Sequence, residues 1–385
     1  MDVDPAPVTR HYFFDNLRAF IVLVVVVFHV AMGYTTWNLD WWPVNDIRKH
    51  VFFDWLVLST DVYIMPVMFL IAGYFAPPVL LRKGMALFWR DKLRRIVLPW
   101  ALGVLLIAPV ISYVAVSRHS STPLDYFSFW MHGFFGPYYQ QSVYWFLEIL
   151  AVFFLLFTIA CWWKPAYFAR QTPGTPSAAF LPLFALFTAV PFFGAYLFFG
   201  PDEWVPVKYL FMIQPVRLGL YLCYFGLGIY AWKKAWFTDD GYRPNLLRWG
   251  AAALVMLFVF MAYRVAFTLT LKIPVPVKAG HSLLFAFFTL TAAMALIALF
   301  AEYADSGAYL WRKLAANSYA IYFIHQCVII PLAYTVRDIP WNIGGKYLAV
   351  SACTLLFCFL IAEYLISPLL ALLPGQRKSR PAGST

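Results

Sequence analysis

Long apolar stretches alternate with short polar ones along the whole of this 385-residue chain. A helix needs about 20 residues to cross the hydrocarbon core of a bilayer. Ten stretches are long enough, and they centre on residues 18–35, 52–76, 96–116, 143–163, 178–199, 208–232, 249–270, 281–301, 314–334 and 346–370. The pattern predicts an all-α polytopic membrane protein, a bundle of about ten transmembrane helices.

Prolines modify this pattern at three of the ten stretches. Four of them interrupt the fifth and sixth stretches, and the pair Pro77-Pro78 is expected to end the second in a kink, because proline breaks the helical hydrogen-bond ladder. No linker or composition shift divides the chain, so residues 1–373 are expected to form one transmembrane domain. Residues 374–385, rich in Gly, Arg, Lys, Ser and Pro, are expected to be a disordered cytoplasmic tail.

The composition excludes a soluble globular protein, since 63% of the residues are hydrophobic and only 12% are charged, against about 25% charged in soluble domains. The net charge of +11 lies in short clusters between apolar runs, which indicates a topology signal and not a surface that binds nucleic acid. The five cysteines lie inside apolar runs without paired spacing, so neither a disulfide framework nor a metal site is expected.

The distribution of Lys and Arg predicts the orientation of the chain. Alternate segments beginning with the N-terminus hold nineteen of the 29 lysines and arginines, and the segments between them hold eight. Because positive residues are enriched on the cytoplasmic side, both termini are expected in the cytoplasm.

Arg18 and His29 stand at the two ends of the first apolar run. Eleven residue steps bring both side chains to the same stripe of a helix, about 16 Å apart along its axis. Ionisable groups inside a membrane are costly and mark functional sites. The alternative is a histidine satisfied by a neighbouring helix and an arginine that only anchors the helix end.

Glu148 and His325 are predicted at the same depth as His29, near the outer face. A carboxylate that orients a histidine makes it an effective general base. The alternative is that each group is capped separately by a hydroxyl or backbone group. Asp61 and Arg217 lie at similar depths in the second and sixth helices, where an ion pair between them is possible.

Two further clusters carry a functional and a structural interpretation each. Arg90, Lys92, Arg94 and Arg95 lie at the inner face with Arg18; they suit a phosphate-binding cradle or simply mark the cytoplasmic side. Aromatic residues crowd the outer loops, where they form an interfacial belt or stack on carbohydrate.

Several motifs resemble the integral-membrane acyltransferase family 3, and within it the branch of the glucan biosynthesis protein C succinyltransferases. The motifs are residues 12–19 (Tyr-Phe-Phe-Asp-Asn-Leu-Arg-Ala) leading to His29, residues 68–74, Arg94-Arg95 with Pro99, residues 145–147, and residues 318–325. The chain departs from the family at Tyr144, where many members have histidine, and at Ala72, where serine is usual.

The resemblance implies a ten-helix core that transfers an acyl group from cytoplasmic acyl-CoA to a hydroxyl, commonly on a glycan beyond the membrane. Its essential pair corresponds to Arg18 and His29. Acyl-CoA is then a donor substrate, with no permanently bound cofactor, and the other partners are a glycan or other hydroxyl acceptor and membrane lipids. We expect the protein in the bacterial inner (plasma) membrane.

The resulting hypothesis is an O-acyltransferase in which the donor nucleotide binds Arg18, Arg90, Lys92, Arg94 and Arg95. His29 is the predicted general base, Glu148 or Asp61 its orienting group, and Arg217 or Tyr322 an oxyanion donor; His325 is a further predicted catalytic residue. The acyl group, acetyl, succinyl or another, is not determined. A transporter or flippase with buried charges along a substrate path and a structural scaffold remain alternatives.

Overall fold

The computed structural model describes residues 12–37, 41–120, 123–208, 210–239, 241–268 and 273–372. The predicted tail at 374–385 lies outside these residues. Helices dominate the described part of the chain, and the regular elements are α1 (Tyr12–Met32), α2 (Val51–Asp61), α3 (Ile64–Lys92), α4 (Leu98–Leu102), α5 (Ala108–Ser117), α6 (Tyr126–Ser128), α7 (Trp145–Trp163), α8 (Pro165–Phe168), α9 (Phe180–Tyr196), β1 (Val205–Val207), β2 (Phe211–Ile213), α10 (Pro215–Lys233), α11 (Leu246–Tyr263), α12 (Val275–Tyr303), α13 (Tyr309–Val336), α14 (Ile343–Ile361) and α15 (Ser367–Leu372).

Short segments of non-α helix join or extend several of these helices. Five are π-helical, and their ranges are Leu93–Val97, Gly103–Ile107, Phe129–Phe134, Arg264–Thr268 and Ala362–Ile366; one, Ser142–Tyr144, is a 3₁₀ turn. Two of the π-helical segments flank α4, next to the cationic cluster. Segments of this kind occur frequently at functional sites.

Each of the ten predicted windows coincides with helix, and the all-α membrane fold is confirmed. Seven helical stretches of the described chain are long and apolar enough to cross a membrane, and one of them runs from Val51 to Ser117. At 1.5 Å per residue these 67 residues would extend about 100 Å, more than three times the thickness of the hydrocarbon core. The stretch therefore bends, and it accounts for two of the predicted windows.

The helical backbone is interrupted at Gly84, a position beyond the kink predicted at Pro77-Pro78. Both prolines lie inside α3, whereas Gly84 adopts φ 71° and ψ 168°. Glycine adopts this backbone conformation readily because it lacks a Cβ atom. Proline is tolerated in membrane helices where neighbouring groups satisfy the freed backbone carbonyl.

The sixth window also begins later than predicted. Its first residues form β2, which pairs antiparallel with β1 from Val205↔Ile213 to Val207↔Phe211. Pro215 then occupies the first turn of α10, where its missing N–H costs nothing. The two short strands form a hairpin at the end of the helix pair α9 and α10.

Helices α3 and α10 approach each other so closely that their backbones touch. A Cβ atom on Gly73 would lie 2.0 Å from the carbonyl oxygen of Phe225, and one on Gly228 would lie 2.0 Å from that of Leu70. Small residues at such crossings let membrane helices pack by direct van der Waals contact. The contact holds α10, which carries Arg217, against α3, which begins shortly after Asp61 at the end of α2.

Helices α1 and α13 pack side by side and begin at the same face of the bundle. The Asn16 side chain donates hydrogen bonds to the carbonyls of Ala304 at 2.7 Å and Ser306 at 3.0 Å, just before α13 begins. We call this face the Tyr12 face and the opposite face, to which α1 leads, the Trp42 face. At the Trp42 face, buried Lys346 donates to Asp46 at 2.9 Å and thereby anchors the loop after α1.

The segment that precedes α7 folds into the bundle and packs against α13. Tyr144 donates its hydroxyl hydrogen to the carbonyl of Phe323 at 2.9 Å, and Ser142 donates to the side chain of Gln326. On its other side, Trp100 donates to the Gln141 side chain at 2.9 Å. These contacts hold the segment before α7 at the level of His325, although the sequence predicts this segment outside the membrane.

Candidate active site

His29 and His325 form a pair in the interior of the bundle. His325 Nε2 lies 3.2 Å from His29 Nδ1, and the ring centroids are 4.9 Å apart. Counted along the helices from the Tyr12 face, His29, His325 and Glu148 all lie about 22–26 Å deep. The common depth predicted from the sequence thus brings two of the three side chains into direct contact.

Two backbone carbonyls determine which ring nitrogens carry hydrogen. His29 Nδ1 lies 2.8 Å from the carbonyl of Val25, and His325 Nδ1 lies 2.6 Å from that of Tyr322. Since a carbonyl oxygen only accepts hydrogen bonds, both Nδ1 atoms carry hydrogen. His325 Nε2 then holds a lone pair that accepts from His29 Nδ1. In the neutral pair, His29 Nε2 is consequently an unprotonated base.

His29 lines a cavity of about 1190 Å³ together with residues from the loops of the Trp42 face. The indole of Trp42 stacks on the His29 ring with centroids 5.6 Å apart and an interplanar angle of 20°. Other walls are formed by the segment before α7 and by the hairpin. A ligand from the Trp42 face can therefore reach the histidine through a cavity with aromatic walls.

Asp61 and Asp202 line the same cavity. The guanidinium of Arg217 pairs with both carboxylates, so the predicted Asp61–Arg217 pair is confirmed. Asp202, in the loop before β1, was not predicted as its second partner. Because Arg217 is held by two carboxylates, an oxyanion role for it finds no support in the geometry.

Glu148 is buried at the expected level but its carboxylate does not meet the histidines. Both of its oxygens lie 3.3 Å from the backbone nitrogen of Met212 in β2, and among the described residues no hydrogen bond joins Glu148 to His29. The expectation that Glu148 orients His29 is therefore corrected, because the carboxylate is directed at the hairpin. His325 occupies the orienting position instead.

The Tyr322 hydroxyl, a second predicted oxyanion donor, donates to the carbonyl of Val143. Gln326 was missed by the sequence reasoning although it directly follows His325. Its side chain lines the cavity, and because its Oε1 accepts from Ser142, its Nε2 is available as a donor. The signal that could have identified Gln326 is its position next to His325, as a polar residue within an apolar stretch.

The predicted donor-binding cations lie away from this cavity. Arg18 is on α1 toward the Tyr12 face, 41% exposed and 3.2 Å from Asp15. Arg90, Arg94 and Arg95 are exposed, and Lys92 lies over the Phe154 ring at 3.7 Å.

A contact with α13 relates this cluster to the histidine pair. The Tyr319 hydroxyl donates to the carbonyl of Arg95 at 2.8 Å. Tyr319 precedes His325 by six residues, or about 9 Å along α13. The cluster thus lies on the Tyr12 side of the histidines, and its role as a phosphate cradle stays a prediction.

Within the described ranges, no group of three or more His, Cys, Asp or Glu side chains is arranged to hold a metal ion. The chemistry that the arrangement offers is proton transfer at a histidine, next to a cavity that accommodates a ligand.

Comparison with known proteins adds the family. The family model described as an acyltransferase domain, of acyltransferase family 3, matches residues 11–363. The chain is also similar to glucans biosynthesis protein C from Escherichia coli strains SMS-3-5 and K12, with 31% identity over 100 residues. This match covers 25% of the present chain and 24% of each relative. No solved structure matches the chain.

Proposed function

The chain belongs to acyltransferase family 3, and on that premise we propose that it is a membrane O-acyltransferase with His29 as general base. The donor is acyl-CoA, and the acceptor is a hydroxyl group of a glycan or another molecule of the cell envelope. The observation that supports this most is the contact of His29 Nδ1 with the Val25 carbonyl, which assigns the hydrogen to Nδ1 and leaves Nε2 as the basic nitrogen of a residue that lines a large cavity.

In the proposed reaction, an acceptor hydroxyl enters the cavity and donates to His29 Nε2. As its oxygen attacks the thioester carbonyl, the new C–O bond forms and the proton passes to His29. Collapse of the tetrahedral intermediate breaks the C–S bond, and the leaving thiolate takes the proton from His29. The products are an ester and CoA thiol, and the histidine returns to its neutral form.

His325 is the positioning residue for this step. Its Nε2 accepts from His29 Nδ1, so it holds the ring in the tautomer that leaves Nε2 free. When His29 becomes an imidazolium, its Nδ1–H donates to His325 and Val25, which stabilises the charge. The Nε2 amide of Gln326 is the donor that we assign to the oxyanion, since it lines the same cavity.

The donor is proposed to approach from the Tyr12 face. Guanidinium groups bind phosphate by charge-assisted hydrogen bonds; Arg90, Arg94 and Arg95 are exposed and Arg18 is half-buried. The distance of about 16 Å between Arg18 and His29 along α1 is one that an extended pantetheine arm can bridge. Lys92 contributes charge beside them. This orientation makes the Tyr12 face cytoplasmic, in a bacterial inner membrane, with both termini on that side.

A glycan acceptor is supported by two observations. Indole rings of Trp37, Trp41, Trp42, Trp145 and Trp204 line the cavity, and sugar rings pack their apolar faces on such surfaces. The similar Escherichia coli proteins carry glucan biosynthesis in their name. The transferred group is acetyl, succinyl or another short acyl group, and an assay with several acyl-CoA donors identifies it.

The proposal is tested with purified protein in proteoliposomes, acyl-CoA donors labelled in the acyl group, and a mixture of envelope glycans. We expect label in an ester on the glycan and an equal amount of free CoA thiol, both measured by mass spectrometry. Movement of glycan across the membrane without any covalent change would instead identify a flippase. Neither transfer nor movement, with folded protein, would contradict both functions.

A further inference from the structure

The carboxylates of Asp61 and Asp202 face the cavity, whereas the arginine that holds them lies behind them. The side chains of Asp61 and Asp202 are 29% and 52% exposed, and that of Arg217 is only 4% exposed. Asp61 and Asp202 line the cavity and Arg217 does not. A ligand in this part of the cavity therefore meets carboxylate oxygens and no guanidinium.

Each carboxylate uses one oxygen for Arg217, Oδ2 in Asp61 and Oδ1 in Asp202. In the part of the chain that the structure describes, neither second oxygen is engaged in another hydrogen bond. An ionised carboxylate only accepts hydrogen bonds, so its complement in a ligand is a donor such as a hydroxyl group. No lysine or arginine is among the described residues that line the cavity, so a ligand anion would meet no cation on the described wall.

An indole surface continues from this carboxylate pair. Trp145 and Trp204 line the cavity with ring centroids 5.1 Å apart. Tyr221 stacks on Trp145 at 5.9 Å and lies one helical turn after Arg217 on α10. Asp202 and Trp204 lie in the same loop before β1, and Arg217 and Tyr221 lie on α10, so the aromatic surface and the carboxylate pair adjoin in the cavity wall.

We propose that Asp61 and Asp202, held by Arg217, are specificity-determining residues that bind hydroxyl groups of the acceptor and select a neutral sugar over an anionic one. A sugar ring lies on Trp204, and its hydroxyls donate to the two free carboxylate oxygens. An acceptor with a carboxylate or phosphate at this position is repelled. The inference rests on the proposed function, because it names the acceptor class of the same cavity.

Arg217 is what keeps two carboxylates close together at neutral pH. Two like charges at short range would repel each other, and the guanidinium between them offsets that repulsion. The arrangement serves recognition because both oxygens that remain are fixed in direction. A purely structural triad would not depend on the charge or hydroxyl groups of the acceptor.

Binding is measured first, with the full chain in detergent and without donor, so that no catalysis is needed. The probes are β-linked pentamers of glucose, xylose and glucuronate. Their binding is measured by the quenching of tryptophan fluorescence. The xylose pentamer is neutral and lacks the sixth carbon, so it controls for the hydroxyl that glucuronate has lost. We expect the two neutral pentamers to bind at least about tenfold more tightly than the glucuronate pentamer.

The variant Asp202→Asn is compared with Asp338→Asn, an aspartate that is 72% exposed and does not line the cavity. Asp202→Asn removes the negative charge and should raise the dissociation constant of the glucose pentamer about tenfold, a hydrogen bond to a charged group being lost. It should also reduce the ratio between the dissociation constants of the glucuronate pentamer and the glucose pentamer. In the transfer assay it should raise KM for the glycan about tenfold with kcat within about threefold of wild type. Asp338→Asn should resemble wild type in all of these.

If Asp202→Asn loses its fold, as judged by its melting temperature, Trp204→Ala and Trp204→Phe replace it, with binding lost in the first and largely kept in the second. Equal binding of neutral and anionic pentamers by the wild-type protein would overturn the inference. So would an Asp202→Asn variant that is folded and retains the wild-type preference. Absence of ester formation with every donor, while the neutral pentamers still bind selectively, would contradict the proposed function and leave the acceptor specificity standing.

Discussion

The two sides of the histidine pair present opposite chemistry to a ligand. Toward the Trp42 face, a cavity of about 1190 Å³ is lined by aromatic rings, amides and three aspartates, and none of the described residues that line it is a lysine or an arginine. Toward the Tyr12 face, Arg90, Arg94 and Arg95 are exposed and Arg18 is half-buried. The histidine pair His29 and His325 lies between these regions.

This difference teaches how one site can serve two unlike substrates. A nucleotide with several phosphates is complementary to the cations and would be repelled by the carboxylates of the cavity. A polyhydroxyl acceptor is complementary to the cavity, because its hydroxyls donate and its apolar faces stack. The histidine pair lies where the reactive ends of both would meet. On the proposed function, charge would sort the two substrates to opposite faces.

The strongest test of this arrangement is His29→Ala, which removes the group at the junction. General-base catalysis contributes about 10²–10⁴-fold, so we expect kcat for acyl transfer to fall by at least about a hundredfold. His132→Ala is the matched control, since His132 lines the cavity but is not part of the pair, and its kcat should stay within about threefold. Normal acyl transfer by a folded His29→Ala variant would show that the two substrates do not react at His29.

His325→Ala should have the next largest effect. It removes the acceptor for His29 Nδ1–H, and a hydrogen bond to a developing charge is worth about 1.5–3 kcal/mol, or about 10–100-fold in kcat. The KM values for both substrates should change little, because His325 Nε2 faces His29. His325→Gln keeps an acceptor oxygen and should recover part of the rate. Equal losses in both variants would mean that packing, and not the hydrogen bond, is what His325 supplies.

Arg18→Ala tests the cationic side alone. We expect the KM for acyl-CoA to rise about tenfold, with kcat and the KM for the glycan unchanged, because one charge-assisted hydrogen bond to phosphate is lost. Arg48→Ala is the control, being a basic residue at the Trp42 face that donates to the Trp341 carbonyl at 2.9 Å. An increase in the KM for the glycan in Arg18→Ala would contradict the assignment of the donor to the Tyr12 face and of the acceptor to the Trp42 face.

Ionic strength gives the smallest and most general effect. Exposed charges are screened over a Debye length that falls from about 10 Å at 0.1 M to about 3 Å at 1 M salt. The KM for acyl-CoA should therefore rise several-fold between these concentrations, whereas the KM for a neutral glycan should stay nearly constant. Parallel changes in both KM values would indicate that the two substrates share one charged region.

Sequence reasoning reached the fold well because membrane helices are specified by local hydropathy. It failed where backbone conformation decided the outcome, as at Gly84 and in the β1–β2 hairpin. Within the site, depth along the helices brought His29 and His325 to one level. The same depth estimate wrongly grouped the Glu148 carboxylate with the two histidines. Depth along a helix contains no information about the direction in which a side chain projects around the bundle.

Apolar length and the period of the helix, both local properties, determined from the sequence alone that this is a helical membrane protein with Arg18 and His29 on one stripe of α1. The tertiary structure decided that His325 and not Glu148 meets His29, that Asp202 joins Asp61 on Arg217, and that the segment before α7 folds inward so that Ser142 contacts Gln326. These depend on how helices are rotated against each other and on where a loop returns. Contacts between residues nearly 300 positions apart, as for His29 and His325, arise only when the helices pack.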